Sequence, residues 1–458
     1  MSLETAAAVV DLVRAASPDA EAEVVVDTVE HALTRFANSF IHQNVAEATT
    51  SVRLRLHVDG RTAAGSSTVT DADGLRGLVD RTLAAAALCP PDLQWPGLTA
   101  PSPVTDAPSV DEETVAADPA ARAARVRAFV TAAGGLETAG YCSTTSLTTA
   151  FANSAGQSAA ARSALAALDA IARQGLADGV SRIATTRLSE LDGAVHGERA
   201  AAKARASVDP QELPPGRYEV VMEPSAVMDL LAMLSFNGFN GKAVNERRSF
   251  VELGVAQFDP SLSLVDDPLD PASGGAAFDV EGTPKRRLTF IDAGVSATVA
   301  HDRRSAALAG TASTGHALPG GAAYGAIPLN LHLLAAAGGG PVGEVDGPAA
   351  DSAVADLVAK VGRGLLVSDL WYTRVLDPRT LVVTGLTRNG VWLVEDGVIT
   401  RPVQNFRFTQ SYPQALGPGA VLAVGAQAAS IPIGWNVMAY RAPALRLASW
   451  NFTGNASG

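Results

Sequence analysis

GLLVSDLWYTRVLDPRTLVVTGLTRNGVWLVEDGVIT, residues Gly364–Thr400, decides the reading of this chain. Leu381, Val382 and Val383 form one apolar, β-branched run, and Val391, Trp392, Leu393 and Val394 form another. Asn389-Gly390 lies between them, and Glu395-Asp396-Gly397 leads on to Val398 and Ile399. Asn-Gly and Asp-Gly tolerate the positive φ of tight turns, so they are strong short-range hairpin signals. The spacing predicts a three-stranded antiparallel meander. Trp371, Tyr372 and Trp392 give it large apolar surface to bury.

Working outward, Val421 to Met438 reads as buried strands, interrupted by Gln427, Ser430, Pro432 and Gly434. Upstream, Asp209-Pro210 and Pro214-Pro215-Gly216 mark a boundary. The expected fold class is α+β: an N-terminal α+β domain over residues 1–209, then a β-rich C-terminal domain over residues 210–458 that holds the meander. In the first, Leu3–Ala15, Asp73–Ala87, Ala120–Ala133 and Gly193–Val208 read as helices. Ser51–Val58 alternates cleanly, with Val52, Leu54, Leu56 and Val58 on one face. Glu21–Val29, Leu33–Gln43 and Tyr141–Ala152 also suit strands. Ser163–Arg173 is rich in alanine, which favours helix. In the second, Arg217–Met222 reads as a strand. Ser225–Leu234 reads as a helix whose Val227, Leu230, Leu231 and Leu234 have helical spacing. Gly310–Gly325 and Ala335–Gly343 read as glycine-rich loops, and Asp351–Val361 as a helix.

The net charge is -12, from 35 basic and 47 acidic residues, with no basic stripe or arm. This argues against nucleic acid and anionic membranes, which require a concentrated positive field. Cys89 and Cys142, far apart and in no CxxC pattern, suit a reducing compartment. The N-terminus has no basic n-region, and no run of about 18 apolar residues occurs. A cytoplasmic location is the expectation.

Four stretches carry a resemblance. LTRFANSFIHQN (Leu33–Asn44) and AFANSAG (Ala150–Gly156) lie in the first half. SFVELGVAQFDPSLSLVDDP (Ser249–Pro268), with FDVEGTPKRRLTFIDAGV (Phe278–Val295) after it, lies in the second, and the meander and tail follow. In this order they resemble the TldD/PmbA family of metallopeptidase-related proteins. The resemblance implies a strand at Ser163–Arg173.

Metal-bearing members of that family carry His-Glu-x-x-x-His on the helix before the Ser-Phe block, and a later cysteine. Two imidazoles and a thiolate leave a zinc position open for water, and the glutamate can take its proton. Here the matching positions are Ala232, Met233 and Asn237. Met222 to Gly254 holds neither histidine nor cysteine, and no cysteine follows Cys142. A methyl group, thioether or amide does not replace these ligands. The chain therefore resembles the metal-free PmbA (TldE-like) type. No catalytic residue and no metal ligand is expected in it, and no cofactor of its own, with zinc in the partner subunit. The resemblance implies the non-catalytic subunit of a metallopeptidase heterodimer, which shapes the cleft for a TldD-like zinc-bearing partner. Alternatives are a subunit of an amide hydrolase (deacylase) acting on small-molecule conjugates, and a stand-alone binding or scaffold homodimer.

Other motifs carry less. His301, Asp302 and His316 could form a different metal site, but they sit in or near loops and read as surface or loop residues, while His31, His42 and His57 read as structural or exposed. No G-x-S-x-G is present. Gly338–Gly343 and Asn237–Lys242 lack the spacing of phosphate-binding loops. In Phe236–Asn245, FNGFNGKAVN, two Phe-Asn-Gly repeats end a helix. They read either as a cap with packed aromatics or as a substrate-cleft wall, with Asn237 and Asn240 binding peptide backbone.

Overall fold

Strand β1 (Glu21–Ala37) and strand β2 (Phe40–Val58) form a long hairpin joined by Asn38 and Ser39, both at positive φ. The computed structural model describes residues 2–105, 108–335, 354–433 and 438–456. The hairpin is the centre of a six-stranded antiparallel sheet in the order β3-β2-β1-β4-β5-β6. Its other members are β3 (Arg61–Ser67), β4 (Glu137–Asn153), β5 (Ser158–Gln174) and β6 (Ala177–Thr185). β1 is longer than its apolar pattern suggests, because Thr28 meets Thr50 and Thr34 meets Asn44 through side-chain hydrogen bonds.

Alternation along these strands places two different layers against one sheet. On one face, Val24, Val26, Val52 and Leu54 pack with helices α1 (Ser2–Ala16) and α2 (Ala72–Leu88). Further along, Phe36, Cys142 and Leu168 pack with α4 (Pro119–Ala132) and α5 (Gly193–Ala206), which follow the single turn α3 (Glu112–Val115). On the other face Val25 and Phe151 meet Phe278, and Leu165 and Ala167 meet Ala439. β5 is thus covered on both sides. That explains why an alanine-rich segment is a strand: tertiary burial overrides helix propensity, and small side chains let both layers approach.

The second sheet includes β8 (Leu262–Asp266), β9 (Leu288–Asp292), β10 (Val295–Ser296), β11 (Leu331–Ala335), β13 (Val382–Glu395), β14 (Val398–Pro402), β15 (Phe406–Ser411) and β16 (Val421–Pro432). With β7 (Gly216–Met222), β12 (Arg363–Asp377) and β17 (Ala439–Asn455) it runs β10-β9-β8-β11-β17-β15-β13-β12-β7, with β14 on β13 and β16 on β17. β17 also pairs with β7, and β7 pairs in parallel with β12. The pairings β7-β12-β13-β15-β17-β7 therefore close a circuit. Phe406, Phe408, Trp450 and Phe452 fill the core beneath it, together with helix α6 (Pro224–Met233). Mixed helices and antiparallel strands, β-rich in the C-terminal part, make this an α+β fold.

The meander is present, but its first turn is elsewhere. β12 turns at Asp377–Leu381 into β13 (Val382–Glu395), which turns at Asp396-Gly397 into β14 (Val398–Pro402). Asn389-Gly390 lies inside β13, where the register advances by one extra residue between Val391 and Arg388. Asn389 at φ 60° supplies a bulge with the left-handed backbone that a hairpin turn also uses. The aromatic side chains separate as well. Trp392 is 3% exposed, whereas Trp371 is 49% and Tyr372 63% exposed. A second irregularity, between Trp371 and Arg374, turns these two outward. There Arg388 lies 4.5 Å from the Trp371 ring centre and Arg374 4.3 Å from that of Tyr372.

The glycine-rich run Gly338–Gly343 and the first residues of the Asp351–Val361 helix lie outside the described residues, which resume with a helix over 354–358. Val421–Pro432 is strand β16, and 434–437 also lie outside them. Among the described residues no helix is long and apolar enough to cross a membrane.

Candidate functional site

Helix α6 starts with Pro224, whose fixed φ suits the first helical position. Glu223 before it makes no capping bond. Its carboxylate instead pairs with Lys203 of α5 and accepts from Ser368 Oγ at 2.9 Å. The start of α6 is thereby tied to the first sheet's helical layer. A second tie lies nearby: Arg182 of β6 bonds Asp369 at 2.7 Å, and the bulged Asn389 donates to the same oxygen at 3.0 Å. A third, buried tie joins Glu23 and Arg55 to Glu281 and Arg303. The first of these ties fixes the start of α6, and the other two join the first sheet to the second half of the chain.

Val227, Leu230, Leu231 and Leu234 of this helix are fully buried. The opposite stripe is open: Asp229, Ala232, Met233 and Asn237 are half-buried, and Phe236 is 44% exposed. These positions recur at helical spacing and share a face. After Met233 the helix widens into a π-turn, Leu234–Gly238, closed by Phe239 N–H onto Leu234 O at 2.9 Å. The widening matters for positions 232 and 237. In an α-helix, residues five apart diverge by about 140°, since each advances by about 100°. A π-turn, with its i→i+5 bond, narrows that divergence over the residues it spans, here from Leu234 onward. The positions that the resemblance matches to His-Glu-x-x-x-His, Ala232, Met233 and Asn237, lie on the last turn of α6 and in the π-turn after it.

What those positions offer does not fit zinc. Ala232 has only a methyl group. Met233 has a thioether, and the Asn237 amide is turned back, donating to Met233 O at 3.3 Å and lying 3.9 Å from its sulfur. Zinc takes thiolate, imidazole or carboxylate donors. Among the described residues, no three of His, Cys, Asp and Glu stand where they could share one metal ion.

Asn240 has a different setting from Asn237. It is 1% exposed, and its Oδ1 accepts from the N–H groups of Lys242 and Ala243 as the cap of α7 (Gly241–Asn245). Its amide donates to Tyr324 O at 2.7 Å. His301, Asp302 and His316 do not converge. Asp302 caps α8 (Arg303–Ala309) in a capping box with Ser305. His301 Nδ1 lies 3.1 Å from Ser305 Oγ, and His316 Nε2 lies 3.2 Å from the buried Asp266 carboxylate.

Asp229 is the group that the sequence reading missed. Its two carboxylate oxygens accept from Thr373 Oγ1 and Tyr412 Oη, each at 2.7 Å. Burial pushes its carboxyl up to about 6, against the opposing pull of the Tyr412 and Thr373 hydroxyls. Burial, and then the negative charge of Asp229, holds Tyr412 well above the ordinary phenol range. The signal in the sequence was an acidic residue between Met228 and Leu230 on an apolar helix, with no basic residue three or four positions away. The open stripe thus offers one carboxyl group that changes charge below neutrality, flanked by methyl, thioether, phenyl and amide groups.

A family model described as PmbA/TldA metallopeptidase C-terminal domain matches residues 215–454. Among solved structures, TldE from Thermococcus kodakarensis is similar with a TM-score of 0.84 at 18% identity, over 97% of this chain and 99% of that one. A protein described as a candidate modulator of DNA gyrase from Thermotoga maritima gives 0.81 at 17% identity, over 98% and 100%. Another so described, from Bacteroides thetaiotaomicron, gives 0.80 at 18%, over 98% of each chain. At these identities the likeness is one of fold. No curated protein matches the sequence. The family model covers just over half of the 458 residues, and the chain belongs to the TldD/PmbA family of metallopeptidase-related proteins.

Proposed function

We propose that this chain is the non-catalytic subunit of a TldD/PmbA-type metallopeptidase heterodimer. It forms one wall of the cleft in which a zinc-bearing, TldD-like partner hydrolyses a peptide or amide. The observation that carries this reading is the open stripe of α6. The helix that bears the ligands in metal-bearing members keeps a face open beside Asp229, yet presents Ala232, Met233 and Asn237 there. Such a face can contact a substrate or a partner, but it supplies no zinc ligand and no activated water. In this reading Asn237, on the open stripe, meets the peptide. Asn240 acts behind it by holding the turn.

The test is metal analysis of the purified chain, alone and with a TldD-like partner from the same genome. The chain alone is expected to hold less than about one-tenth equivalent of zinc and to cleave nothing. The 1:1 complex is expected to hold zinc and cleave unfolded peptides. Stoichiometric zinc or turnover by the isolated chain overturns the proposal. A complex that cleaves N-acyl conjugates but not peptides moves the substrate to small amides, and a stable homodimer that ignores every such partner removes the heterodimer.

A further inference from the structure

Beside the end of the π-turn, Val244, Arg247, Ser249, Val251 and Arg379 line an open cavity of about 410 Å³. One wall is the C-terminal end of α7, and the other is the turn between β12 and β13. Ser249 Oγ donates to Gly238 O at 2.7 Å, which fixes the cavity against the open stripe of α6.

Two features set Arg247 and Arg379 apart. First, neither forms an ion pair among the described residues, although their neighbours do. Lys242 and Arg248 both pair with Glu246. Asp377, near Arg379, directs its carboxylate to the Arg379 backbone N–H at 3.0 Å and to the Thr380 hydroxyl at 2.6 Å. Second, Arg247 occupies a position that favours glycine. Arg248 N–H bonds Ala243 O at 2.8 Å and Arg247 N–H bonds Val244 O at 2.9 Å, the pattern that ends a helix on a left-handed residue. Arg247 is that residue, with φ 56°. Glycine takes this conformation without strain, whereas a side chain there is disfavoured. A long cationic side chain kept at such a point and directed at a cavity is a departure from local preference of the kind found at binding sites.

We propose that this cavity receives the carboxylate of a peptide ligand, held between the Arg247 and Arg379 guanidinium groups. Planar guanidinium suits a carboxylate through paired N–H donors. The Val244 and Val251 side chains give the adjoining carbon chain an apolar surface, which an inorganic anion would not use. The inference rests on the cleft-wall reading for its peptide. Its test needs no partner and no turnover, so the two can fail separately.

The experiment is titration calorimetry of the full chain at low ionic strength. The probes are an N-acetylated tripeptide with a free C-terminal carboxylate, the same tripeptide amidated, and inorganic phosphate. The free acid is expected to bind at least about tenfold more tightly than the amide. Arg379→Ala and Arg247→Gly are each expected to weaken the free acid about tenfold while leaving the amide unchanged. Arg247→Gly relieves the backbone, so a loss of binding in that variant does not come from misfolding. Equal binding of acid and amide, no binding of either, or wild-type affinity in both variants overturns the proposal. Phosphate binding more tightly than the peptide acid overturns the carboxylate assignment.

Discussion

The Tyr412 hydroxyl donates to the Asp229 carboxylate across 2.7 Å, joining a residue near the start of the second sheet to one 183 positions later. With Thr373 on the other oxygen, this is the only titratable side chain on the open stripe of α6. Its carboxyl is lifted from 3.8 to about 6, so the folded chain holds a proton that the unfolded chain has released. The contribution to stability is fully present below about pH 4, falls as pH rises towards 6, and is flat above that. A shift of roughly two units corresponds to roughly 3 kcal/mol. Urea denaturation from pH 4 to 7 should show that Asp229→Asn lacks this fall. Parallel curves for wild type and variant would remove the assignment.

Asp369 is buried and accepts from Arg182 and Asn389. Asp369→Ala leaves Arg182 with Asp169 as its remaining carboxylate partner. Breaking a buried pair from one side typically costs about 3–5 kcal/mol. The midpoint of urea denaturation should fall accordingly. Because the pair bridges the two sheets, circular dichroism and Trp392 fluorescence should also cease to report one coincident transition.

Asn237 and Asn240 separate by experiment. Asn240→Ala removes a helix cap, leaves Tyr324 O without its donor, and should cost about 1–2 kcal/mol in thermal or urea unfolding. Asn237→Ala should leave stability within about 0.5 kcal/mol. Under the proposed function, it should instead lower turnover by the partner complex. Equal stability losses in the two variants would contradict this division.

Arg247→Gly should not destabilise the fold. Relief of the left-handed strain is worth about 1–2 kcal/mol, offset by about 0.5–1 kcal/mol for the freer unfolded glycine. A melting temperature equal to or slightly above wild type is expected by calorimetry.

Much of the architecture was legible because it follows strict periods. Val52, Leu54 and Leu56 alternate, the buried positions of α6 recur at helical spacing, and Asp396-Gly397 turns as its residues require. The exceptions have specific causes. Asn389-Gly390 prefers the same backbone region in a bulge as in a hairpin turn, and only the partner strand distinguishes them. Residues 44–50 of β2 are mostly exposed and small or polar, and Asn44 and Thr50 meet β1 through side-chain hydrogen bonds, so this stretch leaves no hydrophobic alternation. At the site, the helical spacing of Asp229, Ala232, Met233 and Asn237 on one face could be read from the sequence. The Asp229 cluster could not, since its partners lie 144 and 183 residues away.

The pairing of β17 with both β15 and β7 has a mechanical consequence. A ribbon of strands that returns upon itself has no outermost member to peel away first. Loosening one strand exposes donors and acceptors on two neighbours at once. Amide protons in the middle of β7, β12, β13, β15 and β17 should therefore exchange together at a common slow rate, rather than in a gradient from an end. Helix α6, packed against that ring, is carried on a support that yields as a whole or not at all.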